Sequence, residues 1–372
     1  MKLIYITDAF AVFGGMERVL AEKLNYFAKK YDYNICLITI NQGDHATPFP
    51  LCSRVKHIDL GIRMHQQYAY HGIQRLLKRR LLTSLLKAKL KYVIENVSPD
   101  VIVCVKLDFV GILNKVKGDV PLIVESHTLC NAEQIEKSGW LRRLHVRSFK
   151  RQVRKANVVV SLTEGDANDW QKYNRQISVI PNIVHLNNSD NLSRHNEKRV
   201  IFVGRNSEQK DINSLLHVWS IVHSRHSDWV LDIWGDDTFK APGVNAHKPV
   251  LNIMDQYCNS SILLLTSLFE PFGLVLPEAM SCGLPVVAFD SPYGPADIIT
   301  DGVDGFLVKN RDINEFADRV CQLIEDKELC ARMGLAAIKS AQRYRADLIM
   351  PKWKNLFEQI CQKEKAICSF GL

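Results

Sequence analysis

Val184-His185-Leu186-Asn187-Asn188-Ser189-Asp190-Asn191-Leu192-Ser193-Arg194-His195-Asn196-Glu197-Lys198 interrupts an otherwise regular chain. The stretch is polar and rich in turn formers, shows no apolar face, and reads as a linker or a domain-crossing loop. Before it, short continuous apolar runs rich in Val and Ile occupy residues 2–7, 34–40, 101–105, 122–125, 158–162 and 178–180, the length and composition of buried parallel strands. Amphipathic segments of helical period, at 16–29, 73–95 and 140 to about 156, fall between most of them. Beyond it the pattern restarts, with strands at 200–203, 230–234, 262–265 and 285–289, a helix at 212–223 and a short helix after 265. A helical tail follows from 313, carrying Phe316, Val320, Leu323 and Ile324 and then Trp353, Phe357 and Ile360. Alternating strand and helix on both sides predicts an α/β chain of two Rossmann-like, doubly wound parallel sheets across a cleft. Ligands in such sheets sit at the carboxyl ends of the strands, so the chemistry is sought in the loops that follow strands.

The chain has 372 residues, 47% hydrophobic and 24% charged. That is enough for about two domains of roughly 100–200 residues, and it excludes disorder, a fibre or a small stapled scaffold. No apolar run approaches the roughly 20 residues of a membrane-spanning helix, and Asp8 arrives too early for a secretory leader. A soluble, cytoplasmic chain is expected. Its ten Cys form no Cys-x-x-Cys pair and several lie in apolar runs, so neither disulfides nor a zinc site is expected. Charge is uneven: residues 1–180 carry 28 Lys and Arg against 16 Asp and Glu, a net +12, and residues 181–372 carry 20 against 24, a net −4. Two stretches lack acids altogether, 61–94, with Arg75, Lys78, Arg79, Arg80, Lys87, Lys89 and Lys91, and 137–163, with Arg142, Arg143, Arg147, Lys150, Arg151, Arg154 and Lys155. Such an excess fits an anionic partner or, more plainly, solvated helix faces.

Three post-strand segments can carry chemistry. Gly14-Gly15 after the first strand lets the backbone approach a ligand and aims helix amides at an anion, or forms a plain tight turn. It is not Gly-x-Gly-x-x-Gly, which argues against a dehydrogenase. Arg205 and Lys210, after the strand at 200–203, supply a guanidinium fork and an ammonium suited to a pyrophosphate, or to the surface. The string from Ser267 to Val287 sets Glu270 in a loop and Glu278 in a helical first turn, where Pro277 is tolerated, and Gly283 with Pro285 ends the helix. Two such carboxylates can accept hydrogen bonds from sugar hydroxyls and stabilise a developing cation; Glu278 alone is equally at home as a helix N-terminal acid.

This string, Glu270-Pro271-Phe272-Gly273-Leu274-Val275-Leu276-Pro277-Glu278-Ala279-Met280-Ser281-Cys282-Gly283-Leu284-Pro285, resembles the Glu-x7-Glu signature of the family 4 glycosyltransferases, retaining enzymes of the GT-B fold. The resemblance extends over nearly the whole chain, through Gly14-Gly15-Met16-Glu17-Arg18-Val19, Val179-Ile180-Pro181-Asn182, Val203-Gly204-Arg205 with Lys210, and Gly302-Val303-Asp304-Gly305-Phe306-Leu307-Val308. It implies an acceptor domain over 1–183, a nucleotide-sugar donor domain over 199–345, and a helix over 346–372 that packs back on the first domain. It further implies that Arg205 and Lys210 hold the donor diphosphate, Glu278 the ribose and Glu270 the transferred sugar. The amides of Phe272, Gly273 and Leu274 would contact sugar and phosphate, Gly15 the phosphate, and His127 would serve in the cleft. Read without the resemblance, His127 is equally a structural histidine. No Asp-x-Asp occurs, so no metal and no cofactor besides the nucleotide-sugar co-substrate is expected, the cations of Arg205 and Lys210 stabilising the leaving group.

Asp290-Ser291-Pro292-Tyr293-Gly294-Pro295-Ala296-Asp297 is similar to a version found in bacterial surface-polysaccharide transferases. Asp297 stands where the family often has Glu, and Asp211 where Gly usually follows the phosphate Lys. The resemblance implies transfer of a hexose or N-acetylhexosamine, from a UDP-sugar on family frequency, to a glycan acceptor such as a polyprenyl-diphosphate-linked one. The basic half would then lie against an anionic membrane surface. A GT-B sugar phosphorylase or nucleotide-sugar epimerase is the alternative. Nucleic acid is disfavoured because the basic runs lack interleaved stacking aromatics.

Overall fold

The computed structural model describes residues 1–131, 140–187, 189 and 191–370, with the side chains of 140–145 and 364–370 left aside. The chain divides into two compact units, one of residues 1–162, 166–183 and 349–372, the other of 163–165 and 184–348.

The first unit is built on seven parallel strands: β1 (Lys2–Thr7), β2 (Asn34–Thr39), β3 (Val55–Asp59), β4 (Val101–Cys104), β5 (Leu122–Glu125), β6 (Val158–Ser161) and β7 (Ile177–Val179). Their order is β3-β2-β1-β4-β5-β6-β7. Central β1 pairs with β2 (Ile6 beside Ile38) and with β4 (Ile6 beside Cys104). Every residue of β4 and β5 is buried, as expected of strands with helices on both faces. Helix Gly15–Lys30 brings Val19, Leu20, Leu24 and Phe27 to the interior. Helix Gly72–Val97 buries Leu82, Leu86, Leu90, Val93 and Ile94, all in its later two-thirds. The chain's last helix, Ala346–Phe370, belongs from residue 349 to this unit, where Phe357 meets Phe27 with ring centroids 5.5 Å apart.

The second unit repeats the plan with β8 (Arg199–Val203), β9 (Val230–Trp234), β10 (Val244–His247), β11 (Ile262–Leu265), β12 (Val286–Phe289) and β13 (Gly305–Val308), all parallel, in the order β10-β9-β8-β11-β12-β13. Leu215, Val218, Trp219 and Val222 of helix Ile212–Arg225 share a core with Phe316, Val320 and Leu323 of helix Ile313–Glu325. Each fully buried side chain of this kind contributes about 1.5–3 kcal/mol relative to exposure.

The expected strands are present to within a residue or two. Edge strands β3 and β10 have no counterpart in the apolar runs, because Val55-Lys56-His57-Ile58-Asp59 and Val244-Asn245-Ala246-His247 lack them. The stretch 184–198, expected as a linker or a domain-crossing loop, begins where the chain passes from the first unit to the second, and it is more closely packed than its composition suggests. Its described residues form no helix or strand, yet Val184 and Leu186 are buried. The Asn187 amide donates to Ser281 Oγ at 2.9 Å, the Ser193 amide to the Cys282 carbonyl at 2.9 Å, and Ser193 Oγ to the Ser260 carbonyl at 2.5 Å. The segment is strapped onto the second unit by its own polar groups.

Candidate active site

In the second unit strand order reverses between β8 and β11, which are hydrogen-bonded neighbours. Loops leaving adjacent strands in opposite directions open a crevice there, where open α/β sheets bind ligands. Arg205 and Lys210 follow β8, and Glu270 follows β11. Gly204 and Gly235 bring the loops after β8 and β9 into backbone contact: Gly204 N donates to the Trp234 carbonyl, and a Cβ on Gly235, whose φ is +134°, would sit 2.3 Å from the Gly204 carbonyl oxygen. No larger residue fits there.

Lys210 Nζ donates to Glu270 Oε1 at 2.5 Å, and Ser267 Oγ donates to the same oxygen at 2.7 Å. Glu270 is buried and Lys210 largely so. The carboxylate is thus held by a cation and a hydroxyl, with Glu270 Oε2 left for a further donor. Its backbone is fixed as well, since Glu270 N donates to the Pro292 carbonyl and Gly294 N to the Glu270 carbonyl, each at 3.0 Å. A Cβ on Gly294 would stand 2.1 Å from the Phe272 carbonyl, so the 270–272 turn rests directly on the start of helix Gly294–Ile298. Phe272 is buried edge-on against Tyr344, 5.2 Å between centroids, and Gly273 takes φ +92° to turn the chain into helix Val275–Ser281. Leu274 precedes that helix, and Glu278, in its first turn, is buried. Gly283, at φ +90°, closes it. Arg205 is exposed on the loop after β8, and Lys210, not Arg205, makes the ion pair with Glu270.

Two residues that the sequence reading left without a role brace this arrangement. Asp211 has φ +47°, a left-handed conformation that favours glycine. Its carboxylate offsets the strain by capping helix Ile212–Arg225, accepting from Ser214 N at 3.2 Å and Ser214 Oγ at 2.6 Å. Arg311, also left-handed at φ +55°, pairs with Asp211 and donates to the carbonyls of Thr266 at 3.0 Å and Ser267 at 3.1 Å, while its guanidinium lies 4.3 Å from the centroid of Phe289. One guanidinium therefore ties the residue after Lys210 to the residues that lead to Glu270. The only advance sign of it was the basic run Lys309-Asn310-Arg311 after β13. Asp297 accepts the Glu164 amide at 2.8 Å; burial raises its carboxyl and that hydrogen bond partly offsets the rise.

In the first unit the strand order reverses between β1 and β4. Gly14 caps and Gly15 begins helix Gly15–Lys30 after β1; a Cβ on Gly14 would stand 2.6 Å from Glu17 Oε2. His127 lies two residues beyond β5, with Nε2 2.9 Å from Glu125 Oε1. Lys23, from the helix after Gly14-Gly15, is buried and forms an ion pair with both Glu125 oxygens. Its ammonium also lies 4.5 Å from the Trp353 ring centroid and 5.3 Å from that of Tyr5. Burial by itself would raise the Glu125 carboxyl; Lys23 and His127 reverse this and bring it down to about 2. Burial also lowers Lys23, against the pull of Glu125. The sequence placed His127 but not Lys23, a cation hidden on the apolar face of its helix between Leu20 and Leu24.

Against known proteins, the model of Glycosyltransferase Family 4 matches residues 13–188 and that of Glycosyl transferases group 1 matches residues 186–340. The chain belongs to the family 4 glycosyltransferases. This transferase is 25% identical to the amylovoran biosynthesis glycosyltransferase AmsD of Erwinia amylovora, over 95% of its own length and 99% of that protein's. Its fold is that of TarM from S. aureus, solved with UDP, fondaparinux and alpha-GlcNAc-glycerol (TM-score 0.78, 17% identity, 96% of this chain and 99% of that one). It is equally that of HepE from Anabaena, solved with UDP-glucose (TM-score 0.73, 18% identity, 96% and 100%). The transferase thus has the GT-B fold expected from its sequence.

Proposed function

We propose that this transferase moves a hexose or N-acetylhexosamine, with retention of anomeric configuration, from a UDP-sugar to a lipid-linked glycan acceptor in cell-surface polysaccharide biosynthesis. The observation that carries the reading is the Lys210–Glu270 pair at the strand-order reversal of the second unit, with Glu278 buried at the first turn of the next helix. The name of AmsD and the ligands of TarM and HepE support the substrate classes.

In this reading Arg205 and Lys210 take the donor diphosphate, whose negative charge grows as the sugar leaves, and no metal is needed for that task. The amides of Phe272, Gly273 and Leu274 meet sugar and phosphate, and Glu278 accepts from the ribose hydroxyls. Glu270 orients the sugar and stabilises its oxocarbenium-like centre, with Ser267 and Lys210 fixing one oxygen and leaving the other for a sugar hydroxyl. In the first unit, roles in this reading fall to His127, whose Nε2 lies beside Glu125, and to the helix that starts at Gly15. The enzyme acts at the cytoplasmic face of an anionic membrane that carries the acceptor.

Calorimetric titration of UDP, UDP-sugars and sugar 1-phosphates, with and without chelator, tests this. Wild type is expected to bind UDP independently of chelator, and Arg205→Ala and Glu278→Ala to lose at least tenfold in affinity. Binding of sugar phosphates in place of UDP would establish the phosphorylase instead. Retention is read from the anomeric proton coupling of the product.

A further inference from the structure

Helix Gly72–Val97 is held to the first unit only by its later part: no residue of 72–81 is buried, and the inward side chains begin at Leu82. Ten residues of helix, about 15 Å at 1.5 Å each, carry Ile73, Leu76, Leu77 and Leu81 with 75%, 59%, 58% and 63% of their surface exposed. On a helix of 3.6 residues per turn these four fall within one arc of about 140°, whose middle lies roughly opposite the buried Leu82 and Leu86. Soluble surfaces scatter single apolar residues, but a contiguous row of four large ones marks an interaction site.

The chemistry around the row selects its partner. No acid occurs from Gly61 to Ile94, while Arg75, Lys78, Arg79 and Arg80 sit within the same ten residues. Just before the helix, the turn Met64–Ala69 and its successor present exposed Tyr68 and Tyr70, with Arg75 stacked 4.7 Å from the Tyr68 ring centroid and Lys78 5.9 Å from that of Tyr70. Exposed leucines, flanking cations and amphipathic aromatics are what an interfacial helix shows at the boundary of headgroups and acyl chains. No helix among the described residues is long and apolar enough to cross a membrane. In the second acid-free stretch Lys150 of helix Trp140–Val153 is buried, its ammonium 5.3 Å from the Tyr173 ring centroid, while Arg147, Arg151, Arg154 and Lys155 are exposed.

We propose that residues 68–81 are a monotopic membrane anchor. Ile73, Leu76, Leu77 and Leu81 enter the acyl boundary of an anionic bilayer, Tyr68 and Tyr70 lie at headgroup level, and Arg75, Lys78, Arg79 and Arg80 bind lipid phosphates. This deepens the lipid-linked-acceptor reading and rests on it only for the reason a membrane is present.

Co-sedimentation of the full chain with vesicles of phosphatidylcholine alone, or with 30 mol% phosphatidylglycerol, tests it. Wild type is expected to bind the anionic vesicles at least tenfold more tightly than the neutral ones and to keep part of that binding in 0.5 M NaCl, since screening removes attraction to phosphates but not burial of leucines. Leu76→Asp/Leu77→Asp and Arg79→Glu/Arg80→Glu should each lose at least tenfold, with unchanged melting temperature and UDP affinity. Wild type that stays in the supernatant, leucine variants that sediment like wild type, or a dimer by light scattering that Leu76→Asp/Leu77→Asp dissociates would each overturn the anchor. UDP titration separates the two readings: a chain that binds vesicles but no UDP keeps the anchor and loses the donor assignment, and the reverse result does the opposite.

Discussion

Lys210 and Glu270 meet across 60 positions of sequence, and their contact gives each a second task. Without a donor, the ammonium neutralises a buried carboxylate; in the proposed reading it turns to phosphate once a donor binds, while Glu270 accepts from sugar. Glu270→Gln keeps the shape but removes the charge, so kcat is expected to fall by about 10²–10³ while UDP affinity changes less than threefold. Initial rates and calorimetry on one preparation check this. Arg311 and Asp211 are coupled in a different way, as two left-handed non-glycine residues bonded to each other. Asp211→Gly relaxes the backbone but loses the cap and leaves Arg311 without its carboxylate, a net loss of about 1–2 kcal/mol. A urea-denaturation double-mutant cycle with Arg311→Ala should return a coupling of about 0.5–3 kcal/mol; additive losses would mean that the two residues brace the loops separately.

At the scale of elements, helix Gly15–Lys30, strand β5 and helix Ala346–Phe370 converge on one buried ion pair. Removing the ammonium from beneath Trp353 leaves Glu125 charged in an apolar setting, so Lys23→Met is expected to cost about 3–5 kcal/mol, more than the joint change Lys23→Met/Glu125→Gln. The pH dependence follows in sign. Glu125 titrates near its ordinary value of 4.5 when unfolded and at about 2 in the fold. Its stabilising contribution is therefore complete above pH 4.5 and is lost as pH falls toward 2. Urea midpoints at pH 7, 4.5 and 3 should decline with a slope that Glu125→Gln reduces. Trp353→Ala, which opens a cavity over Lys23, should cost about 3–5 kcal/mol.

For the whole molecule, the division into two units with separate sheets makes ligand linkage a diagnostic. A ligand stabilises what it binds by RT ln(1 + [L]/Kd), about 2.7 kcal/mol at 100 times Kd. UDP in that excess should raise the melting temperature of wild type by several degrees and that of Arg205→Ala by about half as much or less. The same scale separates what is legible in sequence from what is not. Continuous apolar runs such as Ile4, Tyr5 and Ile6 or Leu263, Leu264 and Leu265 identify central parallel strands because both faces must be buried, a local requirement. Edge strand β10 is set by neighbours: Asn245 Nδ2 donates to Asp232 Oδ1 at 3.1 Å, and His247 Nε2 lies 3.1 Å from the same oxygen. The segment 184–198 has the composition of a linker and the hydrogen bonds of a packed strap, because composition reports solubility and not partners. By itself the sequence determined two doubly wound sheets, the loops in which Arg205, Lys210, Glu270 and His127 stand, the helical first turn that holds Glu278, and the acid-free stretch at 61–94, since periodicity, glycine turns and charge are properties of neighbours along the chain. Only the tertiary structure decided that Lys210 faces Glu270, that Arg311 braces Asp211, that Lys23 supports Glu125 and that Lys150 turns inward while Leu76 and Leu77 stay exposed. Those pairs lie 60, 100 and 102 residues apart, and burial of a charge or a leucine depends on what the rest of the chain brings beside it.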